Sequence, residues 1–144
     1  IRATLRNAGV TLDPDAATGV LQLRRNQHLC TLIGGELTSV ASTLDLVAAL
    51  HPTPAVAGLP RRESQDWIDQ HEAFDRGWYA APVGWTTLDG TGEFRVALRS
   101  ALLNGDSITL FAGGGIVDGS VPAQELAETA VKFEAILGAL GVTE

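Results

Sequence analysis

Two apolar segments joined by a short polar turn constrain the fold more than any other feature of this sequence. The segments "EFRVALRSALL" (93–103) and "DSITLFAG" (106–113) have the composition and alternation of β-strands, and Asn104 and Gly105 stand between them. Asn-Gly is the preferred pair for a two-residue type I′ turn. We therefore predict that the two segments pair as an antiparallel hairpin.

The remaining elements follow from hydrophobic periodicity and from residues that begin or end helices. We predict helices over residues 1–8 (ended by Gly9), from a cap at Ser42 or Thr43 to Leu50, from Pro60 to about Phe74, and from near Pro122 onward. We predict one bent strand or two strands from Val20 to Leu37, with a turn at Gly34-Gly35, and a strand-like segment over 76–88. Because a hairpin rather than a helix joins the strands, the fold class is α+β: a layered antiparallel β-sheet with helices.

Size, charge and the absence of certain segments exclude several classes of protein. At 144 residues with 45% apolar content, the chain can bury a core and suits one domain or part of a larger one. Its net charge of −7 argues against a nucleic-acid surface, which needs basic residues to neutralise phosphates. No apolar run is long enough to span a bilayer and no secretion signal is present, so we expect a cytoplasmic protein without a membrane partner.

The last predicted helix carries two ordered stripes. Its apolar residues recur at spacings of four and three, which predicts a buried stripe: Leu126, Ala130, Phe133, Leu137 and Leu140. Glu125, Glu128 and Lys132 form a polar stripe away from it. One interpretation is a solvated face with an ordinary i,i+4 ion pair. The other is that two carboxylates at the start of a helix bind Mg²⁺ directly or through its waters, with the lysine near an anion held by that metal.

The glycine-rich segment before this helix, "AGGGIVDGS" (112–120), invites comparison with phosphate-binding loops. It lacks the Gly-Lys-Ser or Gly-Lys-Thr of a nucleotide-binding loop, and no βαβ unit carries a dinucleotide fingerprint. Two interpretations remain. The glycines either form only a tight turn, or their N–H groups bind an anion, for which a carboxylate is as suitable as a phosphate.

Four side chains have both a structural and a ligand-binding interpretation. Arg99, expected in a strand on a face lined partly by alanines, either reaches solvent or clamps a carboxylate with two parallel hydrogen bonds. His28, expected on a strand, and His51 are either half-buried, hydrogen-bonded residues or ligands. Tyr79 is either a core residue or a platform for a ligand.

The segment "HPTPAVAGLPR" (51–61) contains three prolines. Proline fixes φ and lacks an N–H donor, so the segment cannot continue a helix or lie in a central strand. It is either a plain connector between two helices or a rigid loop that holds backbone groups still for a ligand.

Five segments, taken in order, resemble the C-terminal part of the chorismate-utilising enzymes, which include isochorismate, anthranilate, aminodeoxychorismate and salicylate synthases. They are "HPTPAVAGLPR" (51–61), "FDRGWYAAPVGW" (74–85), "GTGEFRVALRSALL" (90–103), "LFAGGGIVDGS" (110–120) and "PAQELAETAVK" (122–132). The resemblance covers nearly the whole chain from about Gln27 onward. It implies the chorismate-binding, anthranilate synthase component I-like fold, with residues 1–144 as the C-terminal part of a single catalytic domain.

The proline-rich segment resembles the isochorismate synthase branch of this family. The anthranilate and salicylate branches usually place Thr at the position of Ala55 and tend toward Lys at the position of Arg61. The resemblance therefore implies conversion of chorismate to isochorismate with Mg²⁺, in menaquinone or siderophore biosynthesis. Two alternatives stay open: a salicylate- or anthranilate-forming relative, and a non-catalytic module that binds an organic acid.

Carried over position by position, the resemblance also implies roles for individual residues. Glu128 would ligate Mg²⁺, and Glu125 would support the metal or its waters. Arg99 and the backbone of the triple glycine would hold a substrate carboxylate, whereas relatives commonly have Ala at the position of Gly114, so this loop should be slightly looser. The expected substrate-binding residues are His28, Ala55, Val56, Tyr79, Arg99, Gly113, Gly114, Gly115 and Lys132.

Three groups of the family have no counterpart in this sequence. In the family, a lysine promotes attack of water at ring C2, a glutamic acid assists loss of the C4 hydroxyl, and a further glutamate ligates Mg²⁺, all upstream of the matching motifs. General acids and bases must come within hydrogen-bond reach of the proton they move. We therefore expect no turnover by these 144 residues alone. We also expect exposed sheet edges or apolar surface, which favour self-association.

Overall fold

The computed structural model describes residues 1–15, 17–22, 27–38 and 40–142. Its helices are α1 (Arg2–Asn7), α2 (Thr43–Leu50), α3 (Pro54–Ala57), α4 (Arg61–His71) and α5 (Pro122–Ala139). Its strands are β1 (Val10–Leu12), β2 (Gly19–Gln22), β3 (Gln27–Cys30), β4 (Gly35–Leu37), β5 (Pro82–Thr86), β6 (Gly92–Val96), β7 (Ser100–Asn104) and β8 (Ser107–Phe111). The described strands form four two-stranded sheets, β1 with β4, β2 with β3, β5 with β6 and β7 with β8. Antiparallel pairs and separate helices confirm the α+β class.

The chain divides into two compact units. The first consists of Ile1–His51 and Trp85–Glu93, and the second of Pro52–Gly84 and Phe94–Glu144. Among the predicted site residues, His28 belongs to the first unit and the others belong to the second. The assignment of the chain to one catalytic domain stays a prediction.

In the first unit, the predicted helix ends are confirmed. Gly9 follows α1 with a φ of 83°, a left-handed conformation that glycine adopts without strain. Ser42 caps α2: its backbone N–H donates to Asp45 Oδ2 over 2.8 Å, and its Oγ accepts from the Asp45 N–H over 3.3 Å. The hydrogen bonds from Ser42 lower the pKa of the Asp45 carboxyl.

The predicted strand region from Val20 to Leu37 contains three strands, of which β2 and β3 pair with each other and β4 pairs with β1. Residues 23–26 of that prediction lie outside the described residues. The turn predicted at Gly34-Gly35 is wrong, because Gly35 is the first residue of β4. A Cβ on Gly35 would stand 2.5 Å from the Thr11 carbonyl oxygen, so glycine there allows close approach of β1.

In the second unit, the predicted hairpin is confirmed as β7 and β8. Asn104 pairs with Ser107, so the two-residue turn is Gly105-Asp106 rather than Asn104-Gly105. Gly105 has a φ of 58°, and Asp106 is not among the non-glycine residues with positive φ in the described ranges. Type I′ needs positive φ at both central residues, so that prediction is wrong; Gly at the first central position is typical of type II′.

The prediction of one continuous strand over 93–103 is wrong. β6 ends at Val96 and β7 begins at Ser100. Between them the Leu98 N–H donates to the Val96 carbonyl over 2.8 Å, and Arg99 has a φ of 49°. This left-handed conformation costs a non-glycine residue about 1–3 kcal/mol. Side-chain alternation does not continue through such a bend, so the strand face assigned to Arg99 is also wrong.

The long helix α5 begins at Pro122 as predicted, but its predicted buried stripe is wrong. Leu126 is 73% exposed and Leu140 is 45% exposed, whereas Ile136, outside that stripe, is buried. Phe133 and Leu137 are half-buried. Periodicity identifies an apolar face but not the element that covers it, and in this chain another face of α5 packs inward.

Buried apolar residues are few within the described part of the chain: Ala57, Ala80 and Ile136. Large side chains such as Leu29, Trp78 and Val117 are at least 70% exposed. The expected exposed apolar surface is therefore present, and self-association stays a prediction. No helix within the described residues is long and apolar enough to cross a membrane. The cytoplasmic location also stays a prediction.

Candidate functional site

Gly113, in the segment that leads from β8 to α5, contacts two of the predicted site residues. The only lysine of the sequence, Lys132 on α5, donates from Nζ to the Gly113 carbonyl oxygen over 3.0 Å. The Tyr79 hydroxyl oxygen would lie 2.7 Å from a Cβ on Gly113. Because Gly113 has no side chain, the loop can approach Tyr79 while Lys132 holds its carbonyl.

Lys132 and Glu128 lie one turn apart on α5 and form an ion pair with 2.6 Å between Nζ and Oε1. The Lys132 side chain is 16% exposed and the Glu128 side chain 62%. The hydrogen bond and the charge of Lys132 lower the pKa of the Glu128 carboxyl, and the charge of Arg99 lowers it further. Arg99 lies in the bend between β6 and β7.

The Glu125 carboxylate supports the glycine-rich loop. Its Oε1 accepts a hydrogen bond from Ser120 Oγ over 2.7 Å, and that Oγ also accepts from the Val117 N–H over 3.1 Å. Its Oε2 would stand 3.0 Å from a Cβ on Gly114. Glu125 and Lys132 are half-buried, so the interpretation of the polar stripe as a solvated face fits only Glu128.

Tyr79, the only tyrosine of the sequence, is held by aromatic packing. Its ring stacks on Phe111 with 5.5 Å between centroids and an interplanar angle of 16°. The Arg76 Cζ lies 5.8 Å from the centroid of the Tyr79 ring. Burial raises the pKa of the Tyr79 hydroxyl, against a smaller lowering by the Arg76 charge. At neutral pH the hydroxyl is therefore a neutral hydrogen-bond donor beside the loop.

The proline-rich segment contains the four-residue helix α3, whose first residue is Pro54. Ala55 is exposed and Val56 is half-buried. The Val56 carbonyl oxygen accepts a hydrogen bond from Arg76 Nη1 over 2.8 Å. Part of the segment predicted as a stiff loop is therefore helical, and a neighbouring side chain holds one of its carbonyl groups.

The groups predicted to hold a substrate carboxylate lie on an exposed part of the second unit. Arg99, the triple glycine and Glu128 are all exposed. A Cβ on Gly115 would meet no atom within 4 Å. A cavity of about 330 Å³ lies beside Gly114 and Glu125, and neither Arg99 nor Glu128 lines it. His28 is exposed on β3 of the first unit, and its role in substrate binding stays a prediction.

The donor chemistry of Glu125 and Glu128 fits Mg²⁺. This ion prefers oxygen ligands, takes one or two carboxylates, and completes its octahedron with water and substrate oxygens. Within the described ranges, no group of three or more His, Cys, Asp or Glu side chains could hold a metal ion. To bind Mg²⁺, these two carboxylates would need further oxygen ligands from substrate, water or another part of the protein.

Sequence reasoning missed two residues that shape the site. Arg76 is bonded to Glu72 four residues earlier, a spacing typical of helical ion pairs although α4 ends at His71. Ser120 orients Glu125, and no periodic signal marks it. The i,i+4 spacing of Glu72 and Arg76 could have identified Arg76. The contact of Ser120 with Glu125 depends on the path of the loop, which the sequence does not reveal.

Lys132→Met is expected to raise the pKa of the Glu128 carboxyl toward its ordinary value of 4.5, because Lys132 supplies the two largest causes of its lowering. A lowered pKa means that the ion pair stabilises the folded chain above the ordinary pKa. That stabilisation is lost as the pH falls through the lowered value. Carbon-13 NMR titration of the glutamate carboxyls measures the shift. Lys132→Arg, which keeps the charge, should retain the lowered pKa, and an unchanged Glu128 pKa in Lys132→Met would contradict this assignment.

The sequence of this chain is similar to those of chorismate binding enzymes and isochorismate synthases. A family model described as chorismate binding enzyme matches residues 1–141. The chain is 49% identical over 140 residues to the salicylate biosynthesis isochorismate synthase of Pseudomonas aeruginosa, covering 97% of this chain and 29% of that protein. It is 41% identical over 143 residues to the isochorismate synthase DhbC of Bacillus subtilis, covering 99% of this chain and 36% of that protein. The chain thus spans about a third of the length of these curated relatives.

Solved structures show the same similarity in three dimensions. The crystal structure of DhbC from Bacillus anthracis matches with a TM-score of 0.91 and 41% identity, over 98% of this chain and 38% of that one. The structure of MenF, the menaquinone-specific isochorismate synthase from Escherichia coli, matches with a TM-score of 0.82 and 41% identity, over 93% of this chain and 31% of that one.

Proposed function

Because this chain belongs to the chorismate binding enzyme family, we propose that it forms part of an isochorismate synthase that converts chorismate to isochorismate with Mg²⁺. The relatives named above are isochorismate synthases at 41–49% identity, which supports that branch. One arrangement carries the proposal for the site: Lys132 contacts both Glu128 and the Gly113 carbonyl at the glycine-rich loop.

The residues of this chain suit an anionic substrate. The Arg99 guanidinium and the N–H groups of the triple glycine hold a ring carboxylate, since charge-assisted hydrogen bonds to carboxylates are the strong ones. The neutral Tyr79 hydroxyl donates a further hydrogen bond. Lys132 keeps the Gly113 carbonyl in place, so this carbonyl dipole does not turn toward the substrate.

Glu128 and Glu125 would hold Mg²⁺, with Ser120 fixing the orientation of the Glu125 carboxylate. When bound, the metal neutralises negative charge on the substrate. Proton transfer needs other groups. The only lysine here is committed to Glu128 and Gly113, so we propose that the general base and general acid lie outside these 144 residues.

The product distinguishes the candidate functions. The complete gene product that carries this sequence, incubated with chorismate and Mg²⁺, is expected to form isochorismate, identified by chromatography. A parallel reaction with added ammonia tests for anthranilate, and salicylate would appear in the same separation. Anthranilate or salicylate as the first product would contradict the assignment. Chorismate binding without any turnover would favour the non-catalytic module. The 144-residue chain alone is expected to give no product.

A further inference from the structure

The side chain of Arg76 is committed to two partners in the second unit. Its Nε and Nη2 donate to the two carboxylate oxygens of Glu72 over 2.7 and 2.5 Å, and its Nη1 donates to the Val56 carbonyl over 2.8 Å. The Arg76 and Glu72 side chains are only 27% and 28% exposed. Such a two-pronged pair fixes the plane of the guanidinium, which a lysine ammonium cannot do.

This fixed guanidinium also packs against Tyr79. Its Cζ lies 5.8 Å from the centre of the Tyr79 ring, within the range of a cation–π contact. The Tyr79 ring also stacks on Phe111. Arg76 therefore contacts both α3, through Val56, and the tyrosine whose hydroxyl lies beside Gly113.

The charge of Arg76 is already matched. Glu72 pairs with the Arg76 guanidinium and raises its pKa, so Arg76 is positively charged at neutral pH. The Glu72 carboxylate compensates this charge. An arginine in this environment is poorly suited to bind a substrate carboxylate. It is well suited to hold α3 and Tyr79 at a fixed separation.

We propose that Arg76 is a positioning residue that sets the separation between α3 and Tyr79, and thereby the fit of chorismate. The inference rests on the proposed function and on the expected substrate-binding roles of Ala55, Val56 and Tyr79. Because α3 and Tyr79 contact the substrate before it reacts, a shift of either one weakens binding and raises KM; a misplacement of about 1 Å can cost up to about 100-fold in kcat/KM. Arg76 thus affects the substrate without touching it.

Kinetics of the complete gene product test this role. Arg76→Lys and Glu72→Gln are expected to raise the KM for chorismate at least about 10-fold, because both remove the two-pronged pair that fixes the guanidinium. Arg76→Met removes every polar contact and should raise KM further. Arg62→Lys and Arg62→Met, on the exposed side chain of an arginine on α4, serve as matched controls with unchanged KM.

The split between KM and kcat separates positioning from mere structural support. A purely structural role lowers the fraction of folded enzyme, which reduces apparent kcat and leaves KM unchanged. Arg76→Lys and Glu72→Gln with KM within twofold of the wild-type value would therefore overturn the proposal, whatever happens to kcat. If Arg76→Met does not fold, these two milder variants decide the question.

The proposed function and the role of Arg76 can fail separately. Chorismate consumption is followed by chromatography irrespective of the product, and chorismate binding by calorimetry. A wild-type protein that converts chorismate to a different product contradicts the proposed function. The KM values of the variants still test the role of Arg76 in that case. A wild-type protein that binds chorismate without turnover shifts the test to the dissociation constant. A wild-type protein that neither binds nor consumes chorismate overturns both.

Discussion

Glu128→Gln is expected to reduce Mg²⁺-dependent turnover of chorismate at least about 100-fold, since a metal acting on developing charge supplies several kcal/mol and each 1.4 kcal/mol is a factor of ten. The amide keeps the size of the side chain but removes the negative charge that attracts the metal. It also leaves Lys132 without its ion-pair partner. Initial rates of the complete gene product, measured over a series of Mg²⁺ concentrations, give the size of the effect.

The pattern of the Mg²⁺ dependence identifies the cause. Loss of a metal ligand raises the Mg²⁺ concentration needed for half-maximal rate, whereas loss of an ion pair alone lowers stability and leaves that concentration unchanged. Glu134→Gln, an exposed glutamate later on α5, is the matched control. Wild-type Mg²⁺ dependence in Glu128→Gln would contradict the metal-binding role.

Local features of the fold could be predicted from the sequence because their causes lie within a few residues. The Ser42 cap depends on Asp45 three residues later, and Pro122 begins α5 because its missing N–H has no partner at that position anyway. The hairpin was correctly predicted from Asn104 and Gly105, but its turn is shifted by one residue. The dipeptide favours a turn, whereas the strand register is decided by the whole ladder.

Features that depend on distant parts of the chain could not be predicted in this way. The break at Arg99 depends on backbone geometry between two strands, and alternating residues give no sign of it. The exposed Leu126 shows that an apolar stripe does not reveal what covers it. In the site, the spacing of Glu128 and Lys132 suggested an i,i+4 ion pair as one of two interpretations, and the pair is present. The contact from Lys132 to Gly113 spans 19 residues and depends on the path of the loop.

The three consecutive glycines allow a graded test of how closely the loop is packed. None has a positive φ, so alanine is compatible with the backbone at each position. An added Cβ would stand 2.7 Å from the Tyr79 hydroxyl oxygen at Gly113 and 3.0 Å from Glu125 Oε2 at Gly114. At Gly115 it would meet nothing within 4 Å. The order of destabilisation should therefore be Gly113→Ala, then Gly114→Ala, then Gly115→Ala.

Gly113→Ala is expected to lower the free energy of unfolding by about 1–3 kcal/mol, the usual cost of overpacking. The Tyr79 ring cannot yield easily, because it stacks on Phe111 and contacts Arg76. Gly115→Ala is the control and should be neutral or stabilising by about 0.4–1 kcal/mol, since alanine reduces the entropy of the unfolded chain. Urea unfolding of the complete gene product measures these differences.

A double-mutant cycle shows whether the Tyr79 hydroxyl is the cause. Tyr79→Phe removes that oxygen and leaves the ring Cζ, 3.9 Å from the added Cβ, as an ordinary contact. In the Tyr79→Phe background, Gly113→Ala should therefore cost almost nothing, which corresponds to a coupling energy of about 1–3 kcal/mol. Equal costs of Gly113→Ala in both backgrounds would show that the loop and Tyr79 do not meet at this point. The proposed placement of the Tyr79 hydroxyl and the glycine-rich loop beside one substrate carboxylate would then lose its geometric basis.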